Sequence, residues 1–411
     1  MLSRWAKTIK LPLVILIVFP LLSGCWDRLE LEERAVVLGI SIDTAEPEEV
    51  QQEGAITFHS DNVSFPKKDL ISVSVQIAIP GKIQLGPSEN SGSGKGGTVQ
   101  SVWVVKVVGY TLDDALVNLQ QQISGRLFYG HLRVIVVSEA VARRGMENIN
   151  DFLRRNSEVR RMAWMLISRG RAEELMKSKP QLERVPTLYL ISTMDSAVRM
   201  GRFPQNYIGM FWSNMSKKGQ EAFLPYVEMK KEQNIELKGL AYFRNDKMVG
   251  ATRSLEMGTY MSLKGVNPAG YRGFVQIGNP PGTVTVYATS RRASVSVRII
   301  DNVPHFQVNV FTEINVEEKF SDTFALNNSR VLEEIRKENR RQLSEAAERL
   351  IKETQRAGSD IFGFGEYLRA KRPGFWDRRV KTKERWQEMY KTVSVDVKVD
   401  SRVRRIGMKA K

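Results

Sequence analysis

The sequence predicts an α+β protein made of three successive mixed α/β domains after a lipoprotein signal peptide. Its length is the first observation, because 411 residues exceed the roughly 100 to 200 of one ordinary domain. The second is the order of elements: strands alternate with helices in the first half, whereas hairpins, long helices and a last strand follow in the second. The predicted bounds are 1–24 for the signal peptide, 25–200 for the first domain, 201–285 for a small middle domain with its linker, and 286–411 for the last domain.

The first 24 residues have the pattern of an export signal. Three basic residues and no acid occupy the first ten positions, and residues 11–22 form an unbroken apolar run. This run of 12 residues is shorter than the roughly 20 that a membrane-spanning helix needs. A signal peptide therefore explains the segment better than a transmembrane anchor.

The apolar run ends in Leu22-Ser23-Gly24-Cys25, which resembles the lipobox of bacterial lipoproteins. The resemblance implies cleavage between Gly24 and Cys25, an S-diacylglyceryl group on the Cys25 thiol, and N-acylation of Cys25 with a fatty acid such as palmitate. A thiolate is the soft nucleophile that thioether formation requires. Two or more acyl chains, at about 0.8 kcal/mol per buried methylene, hold a protein durably at a membrane. The alternative is a signal anchor with an incidental cysteine.

Composition limits the chemistry that the chain can support. Cys25 is the only cysteine, so the chain can form no internal disulfide and no thiolate zinc cluster. The three histidines, His59, His131 and His305, lie far apart, and we interpret each as a single side chain without a catalytic or metal role. The net charge is +16, and the chain after residue 24 still carries +13. Such an excess suits an anionic membrane or wall surface, and it also suits nucleic acid.

The first domain shows strands and helices in turn. Predicted strands cover 36–42, 71–79, 102–108, 133–137 and 162–167, and a short acidic stretch, 46–53, reads as a turn. Thr111 and Asp114 resemble a capping box at the start of a helix, Ser138 is predicted to cap a second helix, and 148–155 forms a third. A mixed sheet covered by helices is expected.

A glycine- and serine-rich segment, 86–98, invites comparison with a phosphate-binding loop. Gly94-Lys95 is followed by Gly96 rather than by serine or threonine, and Glu89 stands where the motif needs its first glycine. The segment is better explained as a surface loop between strands.

The second half predicts hairpins and long helices. Predicted elements are a hairpin of 235–243 and 248–251 with a turn at 245–247, strands at 295–300 and 306–316, a helix over 330–356, a helical region containing Trp376 and Trp386, and a final strand at 393–399. Between residues 366 and 411, 15 lysines and arginines face six acids. This excess has two interpretations. One is a basic surface that steers the domain towards anionic headgroups or towards an acidic partner, and the other is an ordinary solvated face.

The order and spacing of several short motifs resemble the spore-germination C-subunit lipoprotein family. The matching motifs are Gly24-Cys25-Trp26-Asp27, Leu38-Gly39-Ile40-Ser41-Ile42-Asp43, Gly130-His131-Leu132, Ser138-Glu139-Ala140-Val141-Ala142, Asn150-Asp151-Phe152-Leu153-Arg154-Arg155, Gly239-Leu240-Ala241-Tyr242-Phe243, Lys247-Met248-Val249-Gly250, Asp360-Ile361-Phe362-Gly363-Phe364-Gly365-Glu366, Trp376 and Trp386. The resemblance implies three α+β domains, a lipid anchor at Cys25 on the outer face of the cytoplasmic (spore inner) membrane, and membrane-embedded A and B subunits of a nutrient germinant receptor as partners.

An enzyme and a solute-binding lipoprotein are the two alternative functions for this sequence. An enzyme needs a positioned nucleophile, acid or base, and the sequence contains no G-x-S-x-G and no H-E-x-x-H. The carboxylate pairs Glu173-Glu174 and Glu333-Glu334 fit solvated helix faces. We therefore predict a non-enzymatic protein with no cofactor, no metal and no nucleic-acid partner. The alternative is a solute-binding lipoprotein of a membrane importer, although such proteins usually have two similar doubly wound lobes.

Overall fold

The computed structural model describes residues 34–52, 57, 70–79, 101–178, 183, 185–230, 234–279, 281–320 and 324–405. Its strands are β1 Arg34–Thr44, β2 Ile71–Ala78, β3 Val102–Gly109, β4 Arg126–Phe128, β5 Val134–Ser138, β6 Trp164–Ser168, β7 Phe223–Met229, β8 Ile235–Arg244, β9 Lys247–Ala251, β10 Arg272–Gly278, β11 Pro281–Ile300, β12 Val303–Lys319 and β13 Ser394–Arg405. They form a nine-stranded and a four-stranded sheet. This mixture of sheets and helices confirms the predicted α+β class.

Helices cover and connect the two sheets. They are α1 Pro47–Gln52, α2 Leu112–Gln122, α3 Glu139–Arg144, α4 Glu147–Arg155, α5 Ala172–Lys177, α6 Pro186–Arg199, α7 Ile208–Ser216, α8 Ser254–Leu263, α9 Ser329–Ala357, α10 Phe364–Lys371, α11 Pro373–Phe375 and α12 Lys383–Tyr390. A π-helical segment, Trp376–Val380, follows α11 directly.

The nine-stranded sheet has the order β3-β2-β1-β5-β6-β7-β8-β9, and β4 pairs with β1. Its centre is parallel, from β1 through β5 and β6 to β7, and both flanks are antiparallel. Every residue of β5 and β6 is buried, as expected for parallel strands covered on both faces.

The hairpin of β8 and β9 extends this first sheet. Residues 223–251 are predicted from sequence to belong to a middle domain, yet β7 pairs in parallel with β6 of the first domain. The pairing joins Ile167 to Tyr226 and Ser168 to Val227. Sequence patterns predict strands but not which strands pair. The pairing of β7 with β6 could therefore not be predicted from the sequence. The predicted domain bounds themselves stay a prediction.

The four-stranded sheet has the order β10-β11-β12-β13. Alternation along β12 buries five apolar side chains, Phe306, Val308, Val310, Ile314 and Val316, as the sequence predicts. The partner strand predicted at 295–300 is much longer, because β11 runs through Pro281–Ile300 and pairs with β12 over most of its length. Asp301 and Asn302 make the tight turn between them, both with positive φ.

Helix α9 lies against this sheet, and its extent confirms the predicted helix at 330–356. The Asn328 side chain accepts a hydrogen bond from the Arg330 amide at its start, and Gly358 ends it in the left-handed conformation. The apolar stripe predicted from sequence supplies its buried residues, including Val331, Ile335, Leu350 and Ile351.

Three local predictions need correction. Residues 47–52, predicted as part of a turn, form helix α1, because Pro47 and two glutamates in the first turn favour a helix start. The Thr111 side chain accepts a bond from the Asp114 amide as predicted, but the Asp114 carboxylate accepts from Tyr110 rather than from Thr111. Ser138 precedes α3 without making a side-chain capping bond.

Candidate functional site

The predicted lipidation and cleavage residues, Cys25 and Gly24, lie outside the described residues. So do His59 and the glycine-rich segment 86–98. Within the described part of the chain, no helix is both long and apolar enough to cross a membrane. The anchor at Cys25 therefore stays a prediction that rests on the lipobox.

The structure keeps the other two histidines apart. His131 is exposed, with its ring 6.0 Å from that of Phe128, whereas His305 lies on β12 opposite Arg298. Among residues 34–405 where the structure describes them, no three histidine, cysteine or acidic side chains are grouped as metal ligands.

One glutamate of each carboxylate pair named from sequence, Glu173 or Glu333, takes part in ion pairs. Glu173 is buried, so the predicted solvated helix face is wrong for this residue. Glu173 contacts Lys106 at 2.7 Å and also pairs with Arg171 and Lys177. Burial raises the pKa of Glu173, but hydrogen bonds from Lys106 and Lys177 outweigh burial and hold the pKa below its usual value. Glu333 pairs with two arginines of its own helix. These contacts tie Glu173 and Glu333 to neighbouring basic side chains.

A buried acid, Asp360, organises the segment between α9 and α10. Its carboxylate accepts hydrogen bonds from the amides of Gly363 at 2.8 Å and Gly365 at 2.9 Å, and from the Trp386 indole at 3.1 Å. Burial raises the pKa of Asp360 to about 6, although these donors act in the opposite direction. The donors occupy the carboxylate, so Asp360 acts as a structural centre.

The same segment joins three separate parts of the chain, and we call residues 359–366 with these partners the Asp360 junction. The Glu221 amide donates to the Asp360 carbonyl at 2.8 Å. Gly219 and Glu366 exchange two bonds: the Glu366 amide donates to the Gly219 carbonyl, and the Gly219 amide donates to the Glu366 carboxylate. Lys264, at the end of α8, donates to the Phe362 carbonyl at 2.7 Å. The junction therefore ties the chain around β7 and α8 to the C-terminal helices.

Close packing at the junction requires glycine. A Cβ on Gly365 would lie 2.4 Å from Trp386 Nε1 and 2.7 Å from the Cα of Gly219. Gly363 adopts a φ of +77°, in the left-handed region that favours glycine. The two glycines let the backbone fold around the Asp360 carboxylate.

A buried ion pair lies next to the junction. Lys383 on α12 contacts the Glu221 carboxylate at 3.0 Å, and Gln387 and the Asn245 amide donate to the same carboxylate. Burial raises the pKa of Glu221, although Lys383 opposes that shift. Sequence reasoning missed this pair because neither residue stands in a recognisable motif. Asp360, by contrast, lies in one of the family motifs, 360–366, where the apolar and glycine residues that follow it were a signal of burial.

The C-terminal helices also carry an exposed basic surface. We define this basic surface as Lys371, Arg372, Arg378, Arg379, Lys381 and Arg385. All six are exposed, and none forms an ion pair with another described residue. Arg372 and Arg379 instead donate to the Val297 carbonyl and the Asn302 side chain. This surface contains part of the charge excess seen in the sequence.

Comparison with known families covers almost the whole described chain. Residues 27–229 match a family described as the spore germination protein N-terminal domain, and residues 238–407 match one described as spore germination B3/GerAC like, C-terminal. The chain belongs to the GerAC family of spore germination proteins. This confirms the resemblance drawn from its motifs.

Spore germination proteins of two Bacillus species are similar in sequence to this chain over most of its length. Spore germination protein GerQC of Bacillus cereus is 26% identical over 76% of this chain and 85% of its own. Putative spore germination protein YfkR of Bacillus subtilis (strain 168) is 25% identical over 95% of both chains. Spore germination protein KC of the same strain is 22% identical over 97% of this chain and 96% of its own.

A solved structure shares the fold of this chain. The crystal structure of the GerBC protein matches with a TM-score of 0.53 and 16% identity, covering 81% of this chain and 93% of the other. At this identity the match bears on the fold alone. It agrees with an α+β architecture for the family.

Proposed function

We propose that this GerAC-family protein is a lipid-anchored, non-enzymatic subunit of a spore nutrient germinant receptor. Cys25 holds the chain on the outer face of the cytoplasmic (spore inner) membrane. There its domains dock the extracytoplasmic faces of the membrane-embedded A and B subunits and support nutrient-triggered germination.

The observation that carries this proposal is a lipobox cysteine at the start of a GerAC-family chain. A covalent lipid on the Cys25 thiol supplies the attachment in this proposal, since two or more acyl chains hold a protein durably at a membrane. The basic surface supports the same placement, because exposed arginines and lysines near a membrane are attracted to anionic headgroups, by about 1 kcal/mol each.

The buried charges support a non-enzymatic role. Asp360 and Glu221 have raised pKa values, as catalytic acids often do. Their oxygens are held by backbone amides, Trp386, Gln387 and Lys383, which are groups of the fold itself. A raised pKa in this setting reflects burial at a packing junction.

Dipicolinic acid release from spores that lack this protein tests the proposal. The release is followed across a panel of nutrients, with a trigger that bypasses nutrient receptors as the control. Loss of the response to some nutrients with an intact bypass response is expected. Normal germination with impaired uptake of a solute would instead favour the importer alternative.

The role of the anchor is tested by Cys25→Ala in the full-length protein. The variant is expected to fold normally but to leave the membrane fraction and to weaken the nutrient response. Circular dichroism of the purified variant checks the fold. Unchanged membrane retention with normal germination would remove the lipid from the mechanism.

A further inference from the structure

A row of polar side chains interrupts the apolar layer between helix α9 and the four-stranded sheet. Arg291 on β11 lies opposite Thr312 on β12. Thr312 Oγ1 donates to Ser401 Oγ at 3.3 Å, and Asn339 Nδ2 on α9 donates to the same oxygen at 2.9 Å. Apolar clusters lie on either side of the row, one containing Ile314 and Ile335 and the other containing Val310 and Leu350.

A cavity of about 230 Å³ lies against this row. Arg291, Thr312 and Asn339 line its polar part, and Leu255 and Phe274 line its apolar part. The two apolar side chains are 71% and 63% exposed, whereas Arg291 is 1% exposed. The cavity therefore leads from an exposed apolar rim to a buried cation.

The Arg291 guanidinium has no counter-ion among the residues that the structure describes. Among the described residues Nε is buried without a hydrogen-bond partner, and Nη1 donates to the Val266 carbonyl at a long 3.4 Å. The neighbouring Arg272, also on the cavity wall, is paired with Glu317. Burial lowers the pKa of Arg291 to about 10, which leaves the group charged at neutral pH. An unpaired buried charge is costly, so the site favours an anion that completes it.

We propose that this cavity is a binding site for a small monocarboxylate with a compact apolar body, whose carboxylate pairs with Arg291. The proposal goes beyond the docking role and does not depend on it. Arg291 lines the cavity, and a planar guanidinium can match a carboxylate through two parallel N–H donors.

Charge and size narrow the class of ligand. One unpaired arginine balances one negative charge, which favours a carboxylate over a phosphate dianion. An apolar cavity of about 150 Å³ in another protein admits benzene, so about 230 Å³ accommodates a branched or aromatic acid. Leu255 and Phe274 offer apolar contact to its body.

Isothermal titration calorimetry of the full-length protein in a non-ionic detergent tests the proposal. The probes are isovalerate and benzoate, with their neutral amides and inorganic phosphate as comparisons. Saturable one-to-one binding of the acids is expected below about 10 mM, with weaker or no binding of the amides and of phosphate. Phosphate binding as tight as that of the acids would overturn the carboxylate assignment.

Arg291→Met removes the guanidinium while keeping an apolar chain the length of the arginine stem, and it is expected to weaken binding of the acids at least tenfold. Arg298→Met is the matched control, because Arg298 is exposed on the same strand outside the cavity. Ala346→Leu narrows the cavity from α9 while leaving Arg291 in place, so benzoate is expected to bind more weakly to it. This second variant serves as the test if Arg291→Met does not fold.

Three results would overturn the site. They are no saturable binding of either acid to the unmodified protein, amides that bind as tightly as their acids, and unchanged acid affinity in Arg291→Met or, where that variant does not fold, in Ala346→Leu. Each reads out binding directly, so none depends on whether the protein supports germination.

Discussion

The indole Nε1 of Trp386 donates to the Asp360 carboxylate at 3.1 Å, and both side chains are 1% exposed. The two residues are 26 positions apart, on α12 and on the segment that follows α9. Their hydrogen bond fixes the last helices against the Asp360 junction. The stability of the protein should therefore respond to both the charge and the packing of this junction.

Stability is expected to depend on pH through Asp360. Burial raises the pKa of Asp360 to about 6, above the roughly 3.9 of an aspartate in an unfolded chain. A folded state with the higher pKa binds the proton more tightly, so this group's contribution to the free energy of unfolding falls as pH rises from about 4 to 6. The full change in this contribution is about 3 kcal/mol, and the contribution becomes constant once the pH is well above the folded pKa of Asp360.

Asp360→Asn isolates this effect, because asparagine does not titrate. Denaturant unfolding at pH 4 and pH 7 gives the stability difference between the unmodified protein and the variant. The difference is expected to favour the unmodified protein more strongly at pH 4. A difference that is equal at both values, or larger at pH 7, would contradict the raised pKa.

Gly365→Ala is expected to destabilise the protein. The new Cβ would meet Trp386 Nε1 and the Gly219 backbone well inside contact distance, which corresponds to overpacking worth about 1–3 kcal/mol. Gly278→Ala is the matched control, since a Cβ there meets no atom of the described residues within 4 Å and the backbone does not have positive φ. Thermal unfolding of both variants measures the contrast, and equal melting temperatures would refute the close approach.

Lys383→Met is expected to destabilise the protein by about 3 kcal/mol. The substitution leaves the Glu221 carboxylate, 2% exposed, without its cation. Lys398→Met on exposed β13 removes the same charge and should change stability by less than about 0.5 kcal/mol. Denaturant unfolding of the two variants provides the test. A loss in Lys398→Met as large as that in Lys383→Met would show that burial of the pair is not the cause.

The basic surface is expected to bind anionic membranes. In a chain that starts at residue 25 and carries Cys25→Ala, the pair Arg378→Gln and Arg379→Gln should weaken binding to phosphatidylserine vesicles roughly tenfold or more at low salt. Arg341→Gln with Arg349→Gln removes the same charge from α9 and is the control. Vesicle sedimentation measures the binding. Equal losses in the two variants would mean that net charge alone, and not this surface, attracts the membrane.

Local patterns in the sequence determined much of the fold. Alternating apolar residues identified β2 and β12, helical spacing identified α9, and the Asn245-Asp246 turn identified the hairpin of β8 and β9. Each of these elements forms from residues that are neighbours in the chain, so the period of its apolar residues can be recognised in the sequence. Motif order likewise identified the GerAC family, and the lipobox at Cys25 is a prediction from sequence alone.

Only the tertiary structure decided how distant residues meet. It joined β7 to β6 and placed Lys383 beside Glu221. It also buried Arg291 next to a cavity, where no other residue that the structure describes is its counter-ion. In the sequence these charged residues look like many exposed ones, because burial depends on packing between elements that are far apart in the chain. The surroundings of a buried charged group determine its pKa and the free-energy cost of its burial. Those surroundings exist only in the folded protein.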